Sequence, residues 1–529
     1  IIVYFSSLIT FCLPPASHCN LLKCSKAAMK FHAFSISVSA FIALSRLHRD
    51  DQGQFRALNW SFYIVAVTAV AIFAVIQKFG VYIFEEARST RNRPHEHLYT
   101  KIRGEWFDLA KFEHPGGPVA LYLAKERDAT ALFESHHLLT SRTKMEKILS
   151  KYKVDTTVAR NLQTLDPNED GGQYDWKNFH NDAFVCDIKQ LLYNYFQPMA
   201  KQRDCSLYEA AKASPERWAF ICTLAIMFAS TLPSFAAGRY WTLLATPQLA
   251  WILIANYWHD SLHFSLSSDW RVNAFLPYVL PLLSSPWIWY HQHVLGHHVY
   301  TNIGFKDPDL AHAPQLLREH TSISWKESHR TQGRPSRIAF VWSIGASAGL
   351  NILSDLRANI KLSYNNVVPY AQLTKPRMAA HILGRCWYLF IVFIWPFFVF
   401  SSTAKAAVWA IFPSVVFSIS FMLNSQINHL TEECTAAATT HTNFLKHQVV
   451  TAQNFGCSSS FCGVYSGHLN FQIEHHLFPF VNHCHLPHLA PHVKDICKKH
   501  GVPYREAAGY IDAFRKHFDH TKALSKKDH

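Results

Sequence analysis

The chain has 529 residues, with 49% hydrophobic and 14% aromatic content and a formal net charge of +14; that is longer than one ordinary domain, and a mean hydropathy near zero is the average of apolar membrane stretches and sizeable soluble parts. The positive balance suits anionic lipid headgroups or basic cytosolic loops, and nucleic-acid binding is set aside because no Lys/Arg run is interleaved with aromatics. The 12 cysteines form no CxxC pair, which favours a reducing compartment over a disulfide-stapled secreted fold.

Residues 1–90 read as an N-terminal extension of uncertain character. Residues 1–16 are apolar but lack a basic n-region, so a standard signal peptide is not supported. The stretch 61–84 (SFYIVAVTAVAIFAVIQKFGVYIF) would add a hydrophobic span, a plastid or endoplasmic-reticulum targeting extension, or a gene-prediction artefact.

Residues 91–160 form the next unit. GEWFDLAKFEHPGG at 104–117 is followed by RDATALFESHH at 127–137, and Pro115, Gly116 and Gly117 predict a tight turn. This pattern resembles a cytochrome b5 haem domain, a small α+β fold. The resemblance implies haem b with His114 as one axial ligand and His137, 23 residues later, as the other, His136 being the fallback. Ligation by two histidines leaves no open iron position, so such a haem carries electrons and does not bind oxygen.

A polar linker is predicted at 161–176, around DPNEDGGQ. Residues 177–515 contain four stretches close to the roughly 20 residues that cross a bilayer core: 217–238, 240–258, 385–402 and 405–424. The apolar stretch 272–289 carries Pro277, Pro281 and Pro286 and reads as a bent, interfacial or re-entrant segment. From 491 onward a cytosolic cap helix is expected, and 516–529 reads as a basic, solvated tail.

Three histidine clusters punctuate this region: HDSLH at 259–263, HVLGHH at 293–298 and QIEHH at 472–476. Residues three and four apart share a helix face. His259 pairs with His263, His293 pairs with His297 beside His298, and Gln472, His475 and His476 share a third face. An imidazole set without cysteine thiolate argues against a structural zinc knuckle or an iron–sulfur cluster and leaves iron or zinc.

With their flanks HQHVLGHHVYTN, DPDL and NFQIEHHLFP, these boxes resemble the membrane fatty acid desaturases with all-histidine di-iron sites, over roughly residues 175–510. The resemblance implies an α-helical integral membrane protein of about four transmembrane helices with a cytosolic helical cap holding two iron ions. A third box beginning with Gln472 is similar to the front-end group, which inserts a cis double bond between an existing one and the carboxyl end. His429, in NSQINHL, resembles the extra ligand found between boxes two and three. The implied ligands are His259, His263, His293, His297, His298, His429, His475 and His476, with Gln472 as an additional candidate. Asp260, Asp307, Asp309 and Glu474 are candidates to fix imidazole tautomers. His291, His447 and His468 take no metal role, and His468 stands where such desaturases carry glycine.

The implied reaction is O2-dependent desaturation of an acyl-lipid or acyl-CoA, with NADH-cytochrome b5 reductase supplying electrons through the fused haem. The implied location is the endoplasmic-reticulum membrane, with the plastid as alternative, both sites facing the cytosol. Delta-5 is the leaning for position. A sphingolipid long-chain-base delta-8 desaturase is the near alternative. A histidine-rich metal transporter is the distant one, although its ligands would be expected inside the spans.

Overall fold

A computed structural model describes residues 97–165, 173–280, 283, 285–346, 348–365, 367–370, 375–438 and 440–527. The apolar stretch 61–84 and most of the DPNEDGGQ segment lie outside the described residues.

The N-terminal unit opens with an antiparallel hairpin, Tyr99–Ile102 against Glu105–Asp108. Arg103 (φ 52) and Gly104 (φ 81) make its two-residue turn; positive φ at both positions is the geometry that matches strand twist. Helices Pro118–Ala124, Thr130–His136 and Arg142–Leu149 follow. A small core of Leu98, Ile102, Phe107, Leu109 and Leu121 holds hairpin and helices together.

Among the described residues, three helices are long and apolar enough to cross a bilayer: Pro215–Ala236, His381–Val399 and Thr403–Gln426. Ser214 caps the first by accepting from the Arg217 N–H, with Pro215 at the first helical position; such a cap contributes about 1 kcal/mol. The expected span at 240–258 is also helical, but it is assembled from helix Thr242–Leu253, a π-helical turn Ile254–Trp258 and helix His259–Leu262. Gly238 (φ 71) turns the chain between the first two, where a Cβ would lie 2.6 Å from Phe400. Ile226, Leu244, Phe397, Phe398, Ile411 and Phe412 remain exposed on these helices, as a lipid-facing surface requires. Tyr240 and Trp241 are exposed at the turn, the depth at which aromatic belts sit.

The stretch 272–289 forms no long helix. Helix Trp270–Phe275 gives way to a 3-10 turn Leu276–Tyr278, and helix Pro286–Trp289 begins anew. Hydropathy did not foretell helices Pro335–Gly345 and Ala348–Lys361, each too short to cross a bilayer. The first packs on Thr403–Gln426, where the Ser418 hydroxyl donates to the Trp342 carbonyl at 2.7 Å.

The cap is built on helix Ala183–Arg203, whose Phe184, Ile188, Leu192 and Phe196 form one buried stripe. It packs on Leu486–Lys499 through Leu486, Leu489 and Val493, the helix expected in the tail. Helix Tyr510–Ala523 extends into the stretch read as a solvated tail and buries Ala513, His517, His520 and Thr521.

Candidate metal centre

Box one ends the second helical run, box two occupies the π-helical segment Tyr290–His297 and the start of His298–Tyr300, and box three is helix Gln472–Leu477. His429 follows directly on helix Thr403–Gln426. The fold brings all eight predicted histidines together in two lobes, with donor atoms mutually within 4.8 Å: His259, His263, His293 and His475 in one, and His297, His429 and His476 in the other. His298 stands between them, grouped with His475 and His476.

The π-helical winding adds to the expected pairing in box two, where the rings of His293 and His297 do stack, at 5.3 Å. In an α-helix His293 and His297 would share one face. Wider winding brings the fifth residue around as well, so the Nε2 atoms of His293 and His298 stand 3.1 Å apart, while His297 groups both with His293 and Asp309 and with His429 and His476 of the other lobe. The Nε2 atoms of His259 and His293 are 3.2 Å apart. Two nitrogens bound to one ion at roughly 2.1 Å would be separated by roughly 3.0 to 3.4 Å, so the spacing fits a shared ion.

The donors fit a metal in other respects. The Nε2 atoms of His263, His475 and His476 are buried without a hydrogen-bond partner, a costly condition unless something coordinates them. Burial first, then neighbouring imidazoles, hold His263, His293, His298, His475 and His476 well below the ordinary histidine range. They are therefore neutral, as ligands must be. His297 is the exception: burial lowers it, but Asp307 and Asp309 outweigh burial and raise it.

Outer contacts aim the rings. The Nδ1 of His297 stands 3.2 Å from both Asp307 oxygens, that of His476 is 3.0 Å from Gln448 Oε1, and that of His429 is 3.0 Å from the Thr451 carbonyl. Each acceptor draws the proton to Nδ1 and turns Nε2 inward toward an ion, although the Gln472 amide also meets the Nε2 of His429. His475 Nδ1 contacts His483 Nε2 at 3.0 Å, and His483 Nδ1 contacts Asp260 at 3.0 Å. Asp260 thus supports box three through a second histidine. His483 and Gln448 escaped the sequence reading because neither sits at ligand spacing; only the fold brings them near.

Asp309 also borders His297, at 3.6 Å. Glu474 does not orient an imidazole: it accepts from Tyr504 at 2.9 Å and Asn454 at 2.8 Å, anchoring the helix of box three, and burial pushes its carboxyl up to about 7. Gln472 accepts from the Asn428 amide at 3.1 Å and turns its own amide nitrogen to within 2.9 Å of His429 Nε2. His291 contacts the Trp287 carbonyl and His447 that of Ala438, outside both lobes. His468 has φ 67, the left-handed conformation that favours glycine. Its ring stands 3.3 Å from Arg217.

Asp307→Asn isolates the outer contribution, since asparagine can still cap helix Pro308–Ala311 as Asp307 does. Iron retained after a chelator challenge should fall about 10- to 100-fold with haem absorbance unchanged. Full retention would reduce Asp307 to a cap.

In the N-terminal unit, His114 and His137 face each other with ring centroids 5.8 Å apart and planes at 87°. His137 Nδ1 lies 2.7 Å from the Phe133 carbonyl, and burial lowers His114 to about 4, so both rings are neutral and opposed, as a bis-histidine haem needs. Gly116 packs on His114 itself, its N–H donating to Nδ1 at 3.0 Å. Gly117 (φ 86) serves a different contact: a Cβ there would lie 2.5 Å from the Trp270 ring, so this glycine lets the N-terminal unit seat on the membrane unit. His136 points away from His114 and lines a small cavity with His263, His298 and His476.

Comparison with known proteins finds a family for each unit. Residues 233–508 match the fatty acid desaturase model, and residues 85–157 match the cytochrome b5-like heme/steroid binding domain. An acyl-lipid (8-3)-desaturase of Mortierella alpina is 27% identical over 81% of this chain and 94% of its own. The Delta(5) fatty acid desaturase A of Dictyostelium discoideum is 24% identical over 80% and 89%, and a Delta(8)-fatty-acid desaturase 2 of Arabidopsis thaliana is 24% identical over 80% and 89%. No solved structure matches.

Proposed function

We propose, from the premise that this chain belongs to the fatty acid desaturase family, that it is a front-end desaturase placing a cis double bond at the delta-5 position of a twenty-carbon polyunsaturated acyl-lipid. The observation that carries the reading is the meeting of eight imidazoles where helical runs 242–262 and Thr403–Gln426 end, beside a unit with two opposed histidines. Oxidoreductase activity follows from the family. The position rests on relatives whose names read (8-3) and Delta(5). Those names also favour an acyl-lipid over an acyl-CoA.

The two lobes would hold two iron ions, His259, His263, His293 and His475 serving one and His297, His429 and His476 the other, with His298 between. Iron so held supplies the oxygen chemistry that removes hydrogen from an unactivated methylene, which acid–base pairs and nucleophiles cannot attack. Overall, one CH2–CH2 unit and one O2 take up two electrons and two protons and give one CH=CH unit and two waters. The chain's own task is placement. Asp307, Gln448, Thr451 and His483 fix the rings, while Trp258 and Trp289, both buried, wall the site from water. Trp289 stacks on His293 at 4.0 Å. Gln472, engaged by Asn428, serves as a polar neighbour of His429 instead of a ninth imidazole.

The opposed pair His114 and His137 would hold haem b, fed by an NADH-cytochrome b5 reductase. The same reading assigns the protein to the endoplasmic-reticulum membrane with both sites on the cytosolic face, in keeping with the +14 charge.

Expression in yeast fed separately with eighteen-, twenty- and twenty-two-carbon polyunsaturated acids is the test, with double bonds located by mass spectrometry. A new delta-5 bond on the carboxyl side of an existing one is the expected product. A bond at another front-end position would move the regiochemistry, and an unsaturated long-chain base in place of any fatty-acid product would move the assignment to sphingolipids.

A further inference from the structure

Successive residues of an α-helix point about 100° apart, and at the end of helix Thr130–His136 this divides two histidines between two sites. His137 faces His114. His136 faces a small cavity at the boundary of the two units, lined also by His263, His298, His476, Val294, Val299 and Phe444. Each ring is locked by a carbonyl one turn back: His137 Nδ1 by Phe133 at 2.7 Å, His136 Nδ1 by Leu132 at 3.0 Å. His136 Nε2 is left buried with no hydrogen-bond partner. Nothing in the fold of the N-terminal unit uses that atom.

The boundary is built to hold this position. Tyr208 donates to the His136 carbonyl and accepts from Thr140, both at 3.1 Å. Gly117 lies against Trp270, and Arg103 Nη2 is 2.7 Å from His180 Nε2. Beside the cavity, the His136 ring meets Phe264 at 6.3 Å, and Phe264 stacks on Tyr290 at 5.6 Å.

We propose that His136 is the electron-relay residue of this chain, carrying electrons from the haem ligand His137 to the histidine boxes. Electron transfer weakens exponentially with distance and less through bonds than across gaps. The direct route from His137 runs along one peptide unit to a conjugated ring whose open edge lines the same cavity as ligands of both lobes. His136 would pass one electron at a time from ferrous haem to ferric iron; haem is oxidised, iron is reduced, and no bond forms or breaks. A reduced flavoprotein restores the haem after each step. The proposal rests on the haem and iron reading above and adds a role for a residue that neither site requires as a ligand.

Two full-length variants test it: His136→Leu, which removes the conjugated ring, and His136→Phe, which keeps ring and volume. Haem absorbance, haem potential and iron content are measured first, then reoxidation of ferrous haem in one turnover with oxygen and substrate, then product formed when dithionite and a viologen supply electrons directly. The expected result is unchanged haem and iron, reoxidation slower by on the order of tenfold in His136→Leu and by less in His136→Phe, and full product with dithionite. Wild-type reoxidation in either variant that retains haem and iron overturns the proposal for the property it removes: the relay altogether for leucine, the imidazole's advantage for phenylalanine. Loss of iron, or of dithionite-driven product, in both variants overturns it by making His136 a ligand or a structural residue. A wild-type chain lacking haem absorbance or iron would instead sink the underlying reading.

Discussion

His475→Ala is expected to abolish desaturation, to below about one part in a hundred, while leaving the haem spectrum intact. His475 belongs both to the lobe of His259, His263 and His293 and to the group with His298 and His476. Its ring lies 4.7 Å from those of both His259 and His298. His476 bridges in the same way from the other lobe, so removing His475 opens the first lobe and the group through which the two lobes meet. The loss also strands His483, whose Nε2 meets His475 Nδ1 at 3.0 Å and whose other nitrogen is held by Asp260. A buried imidazole facing an empty volume costs on the order of 1–3 kcal/mol, so some loss of thermal stability should accompany the loss of iron. The measurement is product by mass spectrometry, iron by elemental analysis and haem by absorbance on the same preparation. Full residual activity would remove His475 from the site and with it the two-lobe assignment.

The boxes were legible because ligand spacing is written in the chain: HxxxH must bring two rings to one helix face. What spacing could not convey is winding. HVLGHH reads as an α-helix by default, and only the packed structure shows that Tyr290–His297 is π-helical, which brings His298 to His293 at 3.1 Å. Span positions were legible from hydropathy, but the π-helical turn at Ile254–Trp258 that precedes box one was not. Helices Pro335–Gly345 and Tyr510–Ala523 were hidden for a related reason: their buried faces are defined by partners far away in sequence, such as Ser418 against Trp342 and the Leu430 carbonyl against His517. The same holds for His483, Gln448 and Thr451. Glu474 shows the converse error, since adjacency to His475 suggested an imidazole partner and the carboxylate turns instead to Tyr504.

Gly117 is a middle case. HPGG correctly announced a tight turn, and the φ of 86 at Gly117 is the conformation glycine alone adopts without strain. The close approach it permits is to Trp270, so part of a motif that resembles a haem turn also acts as a joint between units.

His114→Ala or His137→Ala should each eliminate the haem spectrum while iron content stays at the wild-type level, whereas His136→Ala should keep the haem. Two observations separate the neighbours. His137 and His114 oppose each other at 5.8 Å, and the ring of His136 is turned to the far side of the helix among His263, His298 and His476. A haem iron held by two imidazoles does not tolerate loss of one without a large spectral change, because coordination number and spin state shift together. The expected effect is therefore all-or-none in absorbance even if desaturation in a host persists on a free cytochrome b5 supplied in trans. Reduced-minus-oxidised spectra of the three purified variants decide it. Retention of a bis-histidine spectrum in His137→Ala together with its loss in His136→Ala would exchange the roles, carry the haem to the other face of helix Thr130–His136, and leave His137 as the residue nearer the iron site.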